Sequence, residues 1–374
     1  MIGLGLGDAK DITVRGLEIV KRAKRVYLEA YTAILSSHLD VRPLEEFYGR
    51  EVILATRTMV EQQSDLLFEG AKEEDVAFLV VGDPLAATTH HDLITRAHEL
   101  GIATRVVHNA SIMNAVAACG LYLYTFGQTV SIPFFDEKWR PMSFYHKIAT
   151  NMNNDMHTLC LLDIKVKEQS RENIARGLEI YEPPRYMTIN QALEQLLEAE
   201  AEFKLGICTE SSWAIGLARI GHDDQVIFSG TVAELLKVDF GGPLHSLVLP
   251  SKKLNSFEDI MIFKNHWDVE HREQRLKKFL AEKEAAMLRE FEAQQAERRE
   301  RERRAKEAFA KRQAKLAAQK GAAAGLRGRL GLSSLSSLSR RPESTDSSDS
   351  TDTSETDGEG HEYDSSSEAA GNDK

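Results

Sequence analysis

The feature that most constrains the fold is an apolar run, Val76-Ala77-Phe78-Leu79-Val80-Val81, that stops at Gly82-Asp83-Pro84. A run this short and this apolar, closed by turn-forming residues, predicts a strand that is buried on both faces. Helical patterns and further apolar runs alternate around it, at 2–6, 13–23, 25–29, 93–100 and 104–108. Strands that alternate with helices predict a parallel sheet covered on both sides, and therefore an α/β fold.

A second α/β domain is predicted after residue 110, because the spacing of the apolar runs changes there. A helix near Ile112, with Ser111 as a candidate cap, marks the change. Further strands and one long helix are expected at 129–132, 158–164, 189–201, 205–208, 225–228 and 245–249. The predicted domains are therefore 1–110 and 111–255.

The chain after residue 265 is of another kind. Residues 265–320 are rich in Glu, Lys, Arg, Ala and Gln and contain neither Pro nor Gly, which predicts a long charged helix. Its apolar stripe is short, comprising Leu276, Leu280, Met287 and Phe291. Residues 321–374 combine a Gly/Leu/Ser linker with an acidic Ser/Thr-rich tail, and this composition predicts disorder.

The net charge of −11 is unevenly distributed along the chain. Residues 271–330 carry 18 basic against 9 acidic residues, whereas the body before them is acidic. An acidic body disfavours direct contact with nucleic acid and suits a cationic partner. The basic helix could bind nucleic acid or act as an adaptor, but a solvated helix without a partner is the simpler interpretation.

The cysteine pattern and the apolar runs bear on location. Cys119, Cys160 and Cys208 are scattered and odd in number, which predicts reduced thiols, a cytoplasmic location and no structural zinc. No apolar run is long enough to span a membrane, and the first residues have no signal-peptide pattern.

The glycines of Gly3-Leu4-Gly5-Leu6-Gly7 allow two interpretations. They resemble the start of a dinucleotide-binding fingerprint, with Glu29 placed to meet a ribose, but Asp8 stands where the third glycine is required. A carboxylate there would repel a pyrophosphate. The simpler interpretation is a tight turn in which glycines let another group approach the backbone.

Asp83 follows the central strand, where ligands bind in open α/β sheets. Its carboxylate could accept hydrogen bonds from a ligand's amine or hydroxyl groups, although Gly-Asp-Pro alone is more typical of a turn without a ligand. His90 and His91 follow closely, but adjacent histidines face different ways and form a poor metal pair. No metal site is predicted.

Taken together and in order, several segments resemble the eukaryotic diphthine methyl ester synthase family, within the tetrapyrrole-methylase-like superfamily. The resemblance covers residues 2–249. The segments that carry it are 3–13, 27–32, 78–84, 108–114, 157–167, 181–187, 216–219 and 243–247. Each segment is weak evidence alone, whereas their shared order is highly specific.

The resemblance implies two α/β domains of the tetrapyrrole methylase type, with S-adenosyl-L-methionine in the cleft between them. The cofactor contacts that it implies are Leu6, Asp83, Ala86, Ser111, Ile112, Leu162, Leu217 and His245. The family commonly has glycine where Ala86 stands, and an alanine there is costly only if its φ is positive. No general base is assigned, although Asp83 or His245 could act through a water molecule.

The implied reaction is methylation of the modified histidine of translation elongation factor 2 in diphthamide biosynthesis. It comprises trimethylation of an amine and formation of a carboxylate methyl ester. A homodimer is expected, as is usual in the family. Another tetrapyrrole-methylase-like methyltransferase is the enzymatic alternative.

Overall fold

The computed structural model describes residues 1–29, 31, 35, 41–166, 173, 176–178 and 180–329. Met1–Glu290 form one compact unit. Within the described residues, no helix is both long enough and apolar enough to cross a bilayer. The predicted domain boundary near residue 110 and the predicted cytoplasmic location both stay predictions.

The first sheet is parallel throughout, as the apolar runs predict. Its strands are β1 (Ile2–Gly3), β2 (Arg25–Glu29), β3 (Ile53–Ala55) and β4 (Val76–Val80), in the order β1-β4-β2-β3. Leu79 of β4 lies opposite both Ile2 and Leu28, so β4 is an inner strand. The strand predicted at 104–108 is wrong, because only Val107 forms a single bridge, to Ile2.

Both faces of the first sheet are buried, which explains why β4 is almost wholly apolar. Ala77 and Leu79 belong to the core on one face, and Phe78 and Val80 belong to the core on the other. The helices of this half are α1 (Val14–Arg22), α2 (Arg42–Tyr48), α3 (Arg57–Glu61), α4 (Asp65–Phe68) and α5 (His91–Glu99). Helices α1 and α5 confirm the two helical patterns predicted here.

The second sheet is mixed. Its strands are β5 (Val130–Ile132), β6 (Thr158–Leu162), β9 (Trp213–Ala218), β10 (Val226–Thr231) and β11 (His245–Leu249), in the order β10-β9-β11-β6-β5. Only β5 and β6 are parallel, and the other neighbours are antiparallel. A separate pair consists of β7 (Ile164–Lys165) and β8 (Arg185–Tyr186).

The strand predicted at 205–208 is wrong. Gly206 has a φ of +66°, and the amides of Gly206, Ile207 and Cys208 all donate hydrogen bonds to the carboxylate of Glu200. A loop folded around a carboxylate has no amides left for a sheet, and the strand lies further along the chain, at β9.

Five α-helices lie in the described part of the chain that forms the second sheet. They are α6 (Ile112–Ala115), α7 (Ser143–Asn153), α8 (Ile189–Phe203), α9 (Val232–Leu235) and α10 (Ser256–Lys264). Helix α8 confirms the long helix predicted from residue 189. Thr188 and Gln191 form a capping box that fixes its start.

Helix α11 (Arg272–Arg329) confirms the predicted charged helix. The predicted linker boundary at residue 321 falls inside this helix, and the acidic tail lies outside the described residues. The predicted apolar stripe is mostly exposed, with Met287 57 % accessible. The first turns instead contact α10 through two other side chains. The ring centroids of Phe279 and Phe263 are 4.6 Å apart, and Lys283 forms an ion pair with Asp259.

Candidate functional site

A cleft of about 520 Å³ lies where the two sheets meet. The turn after β4 and the end of β6 reach it, together with the first residue of β11. All eight residues expected to contact a cofactor line this cleft: Leu6, Asp83, Ala86, Ser111, Ile112, Leu162, Leu217 and His245. The structure therefore brings together residues that are up to 239 positions apart in the sequence. Their role in holding a cofactor stays a prediction.

The glycine-rich first loop is shaped by contacts with the protein itself. Gly5 and Gly82 exchange backbone hydrogen bonds of 3.2 and 2.7 Å. A Cβ on Gly3 would lie 2.6 Å from the carbonyl oxygen of Gly82, and one on Gly7 would lie 2.6 Å from that of Gly221. The glycines thus let three turns meet at one end of the cleft, in agreement with the simpler interpretation of this segment.

The residues that suggested a dinucleotide do not line the cleft. Glu29 is fully buried, and its carboxylate accepts a hydrogen bond from the amide of Tyr31 at 2.8 Å. Asp8 accepts one from the amide of Lys10 and caps a short 3-10 turn. Both carboxylates therefore have local structural roles.

Both carboxylate oxygens of Asp83 accept hydrogen bonds from neighbouring residues. Its Oδ1 accepts from the amide of Leu85 at 2.9 Å. Its Oδ2 accepts from the amide of Asn109 at 3.0 Å and lies 2.9 Å from Nδ1 of His108. A carboxylate has about four acceptor sites, so roughly one remains for a ligand.

The pKa of Asp83 is lowered overall. Burial taken alone raises the pKa of this carboxyl, but the amides of Leu85 and Asn109 and the His108 ring outweigh that effect. Asp83 is therefore an ionised acceptor and a weak base. The carboxylate is therefore better suited to binding a ligand than to acting as a general base.

Ser111 lies opposite the turn that carries Asp83. Its Oγ accepts a hydrogen bond from the amide of Met113 at 3.3 Å, and its own amide donates to Oδ1 of Asn114 at 2.8 Å. This capping box confirms the predicted cap of the helix that begins at Ile112. The hydroxyl hydrogen of Ser111 stays available as a donor toward the cleft.

The backbone at Ala86 is ordinary. Among non-glycine residues, the positive φ in this loop belongs to Ala87, at +54°. The methyl group of Ala86 therefore carries no backbone strain, and the strained position is one residue further along.

His245 forms part of the opposite wall and is buried. Its Nδ1 accepts from the amide of Ile189 at 3.3 Å, and its Nε2 lies 3.0 Å from the carbonyl oxygen of Gly242, to which it donates. Burial lowers the pKa of His245, so the ring stays neutral. Because both ring nitrogens are engaged by the main chain, the suggestion that His245 relays a proton is not supported.

Arg219 is a cleft residue that sequence reasoning did not identify as functional. Its Nη1 donates to the carbonyl oxygens of Phe240 and Gly242, at 2.8 and 2.7 Å, and its Nε donates to Asp224 at 2.7 Å. Its backbone is left-handed, with a φ of +52°. Arg219 and His245 thus share the Gly242 carbonyl, and together they fix the loop between Phe240 and His245.

The first of the two histidines after Asp83 is enclosed by aromatic rings. His90 is buried, and its ring centroid lies 6.5 Å from that of Tyr31 and 5.5 Å from that of Phe78. In the part of the chain that the structure describes, no group of three or more His, Cys, Asp or Glu side chains could hold a metal ion. His90 is a packed side chain beneath the cleft loop.

Comparison with known proteins gives the class. A family model described as Tetrapyrrole (Corrin/Porphyrin) Methylases matches residues 1–236. The two-sheet fold and its cleft are therefore those of the tetrapyrrole methylase class. This agrees with the fold expected from the sequence.

More specific matches give the family. The diphthine methyl ester synthases of Bos taurus and Mus musculus are each 58 % identical over 266 residues. The match covers 70 % of this chain and 93 % and 94 % of theirs. A crystal structure of a diphthine synthase from Entamoeba histolytica is 50 % identical, with a TM-score of 0.63, covering 71 % of this chain and 97 % of that one. The chain belongs to the diphthine methyl ester synthase family and is a methyltransferase of diphthamide biosynthesis.

Proposed function

We propose that the cleft binds S-adenosyl-L-methionine and that the chain methylates the modified histidine of translation elongation factor 2. The observation that carries this proposal is the convergence of the eight expected contact residues on one cleft. The proposed products are the trimethylated amine and the carboxylate methyl ester. The homodimer and the cytoplasmic location belong to the same proposal.

The residues present fit this cofactor. A cleft of about 520 Å³ is of the size that holds a small ligand. Ile112, Leu162 and Leu217 offer apolar surface to an adenine ring. Asp83 and Ser111 offer an acceptor and a donor for ribose hydroxyls or for the methionine end.

The chemistry requires little of the protein beyond alignment. When bound, the cofactor supplies an electrophilic methyl group on a sulfonium and leaves as a neutral thioether. The substrate amine attacks in its neutral form, and a reference pKa near 8 leaves a fraction of it neutral at physiological pH. The two walls therefore have to orient the reactants and exclude water. Fixed side chains such as Asp83 and His245 suit that task better than mobile ones.

The charge of the body favours a cationic product. Each methylation of the amine leads toward a fixed positive charge on nitrogen, and the sequence before residue 271 is acidic overall. Among the cleft residues, Asp83 is acidic, whereas the charge of Asp224 is balanced by Arg219. A negative field lowers the energy of a positive charge that develops nearby.

The experiment that tests the proposed function is mass spectrometry of elongation factor 2 carrying the unmethylated precursor. Incubation with the full chain and S-adenosyl-L-methionine should add methyl groups to the modified histidine, and alkaline hydrolysis should remove the one present as an ester. The unmodified elongation factor serves as the control and should gain no mass. Methyl transfer to a tetrapyrrole instead would favour the enzymatic alternative.

A further inference from the structure

The middle of α11 has one face on which every charged residue is basic. With 100° of rotation per residue, one sector of the helix between residues 298 and 315 contains six cations and no acid. The six are Arg298, Arg301, Arg304, Lys311, Arg312 and Lys315. Ala305 and Ala308 complete this basic sector. At a rise of about 1.5 Å per residue, the basic sector is about 26 Å long.

The acidic residues of the same stretch lie outside the basic sector. Glu300 pairs with Arg303 and Arg304, both at 2.9 Å, and Glu302 pairs with Arg298 at 3.3 Å. Glu307 pairs with Arg303. These acidic side chains therefore form their ion pairs with arginines at the edges of the basic sector or outside it.

Four cations of the basic sector keep their charge uncompensated. Within the described residues, no acidic side chain pairs with Arg301, Lys311, Arg312 or Lys315. All four are exposed. Like charges at this density repel one another along a helix, so an anionic ligand would stabilise the segment.

The composition of the basic sector excludes two common roles for a basic helix. A helix that lies on a membrane needs a broad apolar face. Among residues 298–315, all of which the structure describes, Phe309 is the only large apolar residue. A coiled coil or a helix bound in a groove needs apolar anchors at helical spacing, which the sector lacks. Small alanines between long cations allow close approach to a row of phosphates.

We propose that residues 298–315 of α11 bind the phosphate backbone of duplex nucleic acid without reading its sequence. Cations spread over about 26 Å on one face can meet several phosphates along a groove. The acidic body would not contribute, because like charges repel it from the ligand. This inference is independent of the methyl-transfer site.

The composition of the acidic tail makes it a candidate competitor for the basic sector. Residues 343–374 carry 11 acidic residues and 1 basic residue. A tail joined to the helix by a short linker has a high effective concentration there. The experiment must therefore use the full chain and compare it with a chain that ends at Arg329.

The test is fluorescence anisotropy of a labelled RNA hairpin of mixed sequence, titrated with the full chain at several salt concentrations. The double variant Arg301→Gln, Arg312→Gln removes two cations of the basic sector. The matched control, Arg299→Gln, Lys306→Gln, removes two exposed cations from the opposite side. Circular dichroism checks that the helix persists in both variants.

The sector variant should weaken binding about tenfold and lower the slope of log K against log salt by about 2. The control should change the affinity by about threefold or less, since only long-range attraction is lost. Equal losses in both variants would overturn the proposal, as would stronger binding to anionic vesicles than to RNA. Binding by the chain that ends at Arg329, with none by the full chain, would also overturn the proposal for the full chain, because the acidic tail would then compete successfully for the sector.

Discussion

The two walls of the cleft hold their polar side chains in the same way but present opposite chemistry. On the first wall, main-chain amides bind the carboxylate of Asp83 and lower its pKa, so the group stays charged. On the second wall, main-chain groups bind both nitrogens of His245, and burial lowers its pKa, so the ring stays neutral.

The two walls are therefore suited to different parts of a ligand. The wall that carries Asp83 can hold the polar end of a ligand, whereas Leu162 and Leu217, beside the neutral ring of His245, can hold an apolar ring. Neither Asp83 nor His245 is free to shuttle a proton, because each is held by hydrogen bonds within the protein. The junction of the two walls should be the most sensitive to substitution, followed by the second wall and then by the first.

The largest effect is expected where the two walls touch. Gly7→Val should weaken binding of S-adenosylhomocysteine by roughly 100-fold, because its side chain would meet the Gly221 carbonyl. Gly7→Ala should give a smaller loss in the same direction. Calorimetric titration measures both affinities. Equal, small losses for the two variants would show that this contact does not set the width of the cleft.

A smaller loss is expected on the second wall. Arg219→Gln should weaken cofactor binding about tenfold, because the Phe240 and Gly242 carbonyls lose their donor and the loop before His245 loosens. Arg219→Lys should recover only part of this, since an ammonium cannot span the same acceptors. Asp224→Asn is the matched variant at the exposed end. A loss larger than that of Arg219→Gln would place the important charge on Asp224 instead.

The stability of the fold should fall as the pH falls below about 6.5. Burial is the main cause that lowers the pKa values of His90, His157, His245 and His266 below the ordinary histidine value of 6.5. In that range the unfolded chain binds more protons than the folded chain, so protonation favours unfolding. Thermal unfolding between about pH 7 and pH 5 measures the slope. His245→Gln should reduce the slope without abolishing it, and an unchanged slope would remove His245 from this account.

The smallest effect is expected at the strained residue of the first wall. Ala87→Gly should stabilise the protein by about 0.5 kcal/mol, because glycine adopts a positive φ without the steric cost that Ala87 bears. Ala86→Gly, at an ordinary φ, should destabilise it by a similar amount. Thermal unfolding distinguishes the two. The opposite order would place the strain at Ala86.

The sequence predicted the parts of the fold in which local pattern and burial agree. The apolar run of β4 and the candidate cap Ser111 each predicted an element that the structure contains. The run at 205–208 misled because three of its amides bind Glu200, a contact that no local pattern reveals.

The candidate site was predicted less completely. The resemblance supplied eight residues that line one cleft, but it did not supply Arg219 as the residue that fixes a wall. The guanidinium of Arg219 binds carbonyls about twenty residues away, so its role appears only when the loop is folded. The contact of Phe279 with Phe263 was missed for a similar reason, because periodicity pointed to a neighbouring face of the helix.

The central claim is that the wall carrying Asp83 holds the cofactor, and calorimetric titration with S-adenosylhomocysteine tests it most directly. Asp75 is an exposed carboxylate at the other end of β4, so Asp75→Ala is the matched control for Asp83→Ala. Asp83→Ala should weaken binding by roughly 10- to 100-fold while the protein stays folded, and Asp75→Ala should leave binding unchanged. Equal affinities for Asp83→Ala and the unaltered chain would contradict the account.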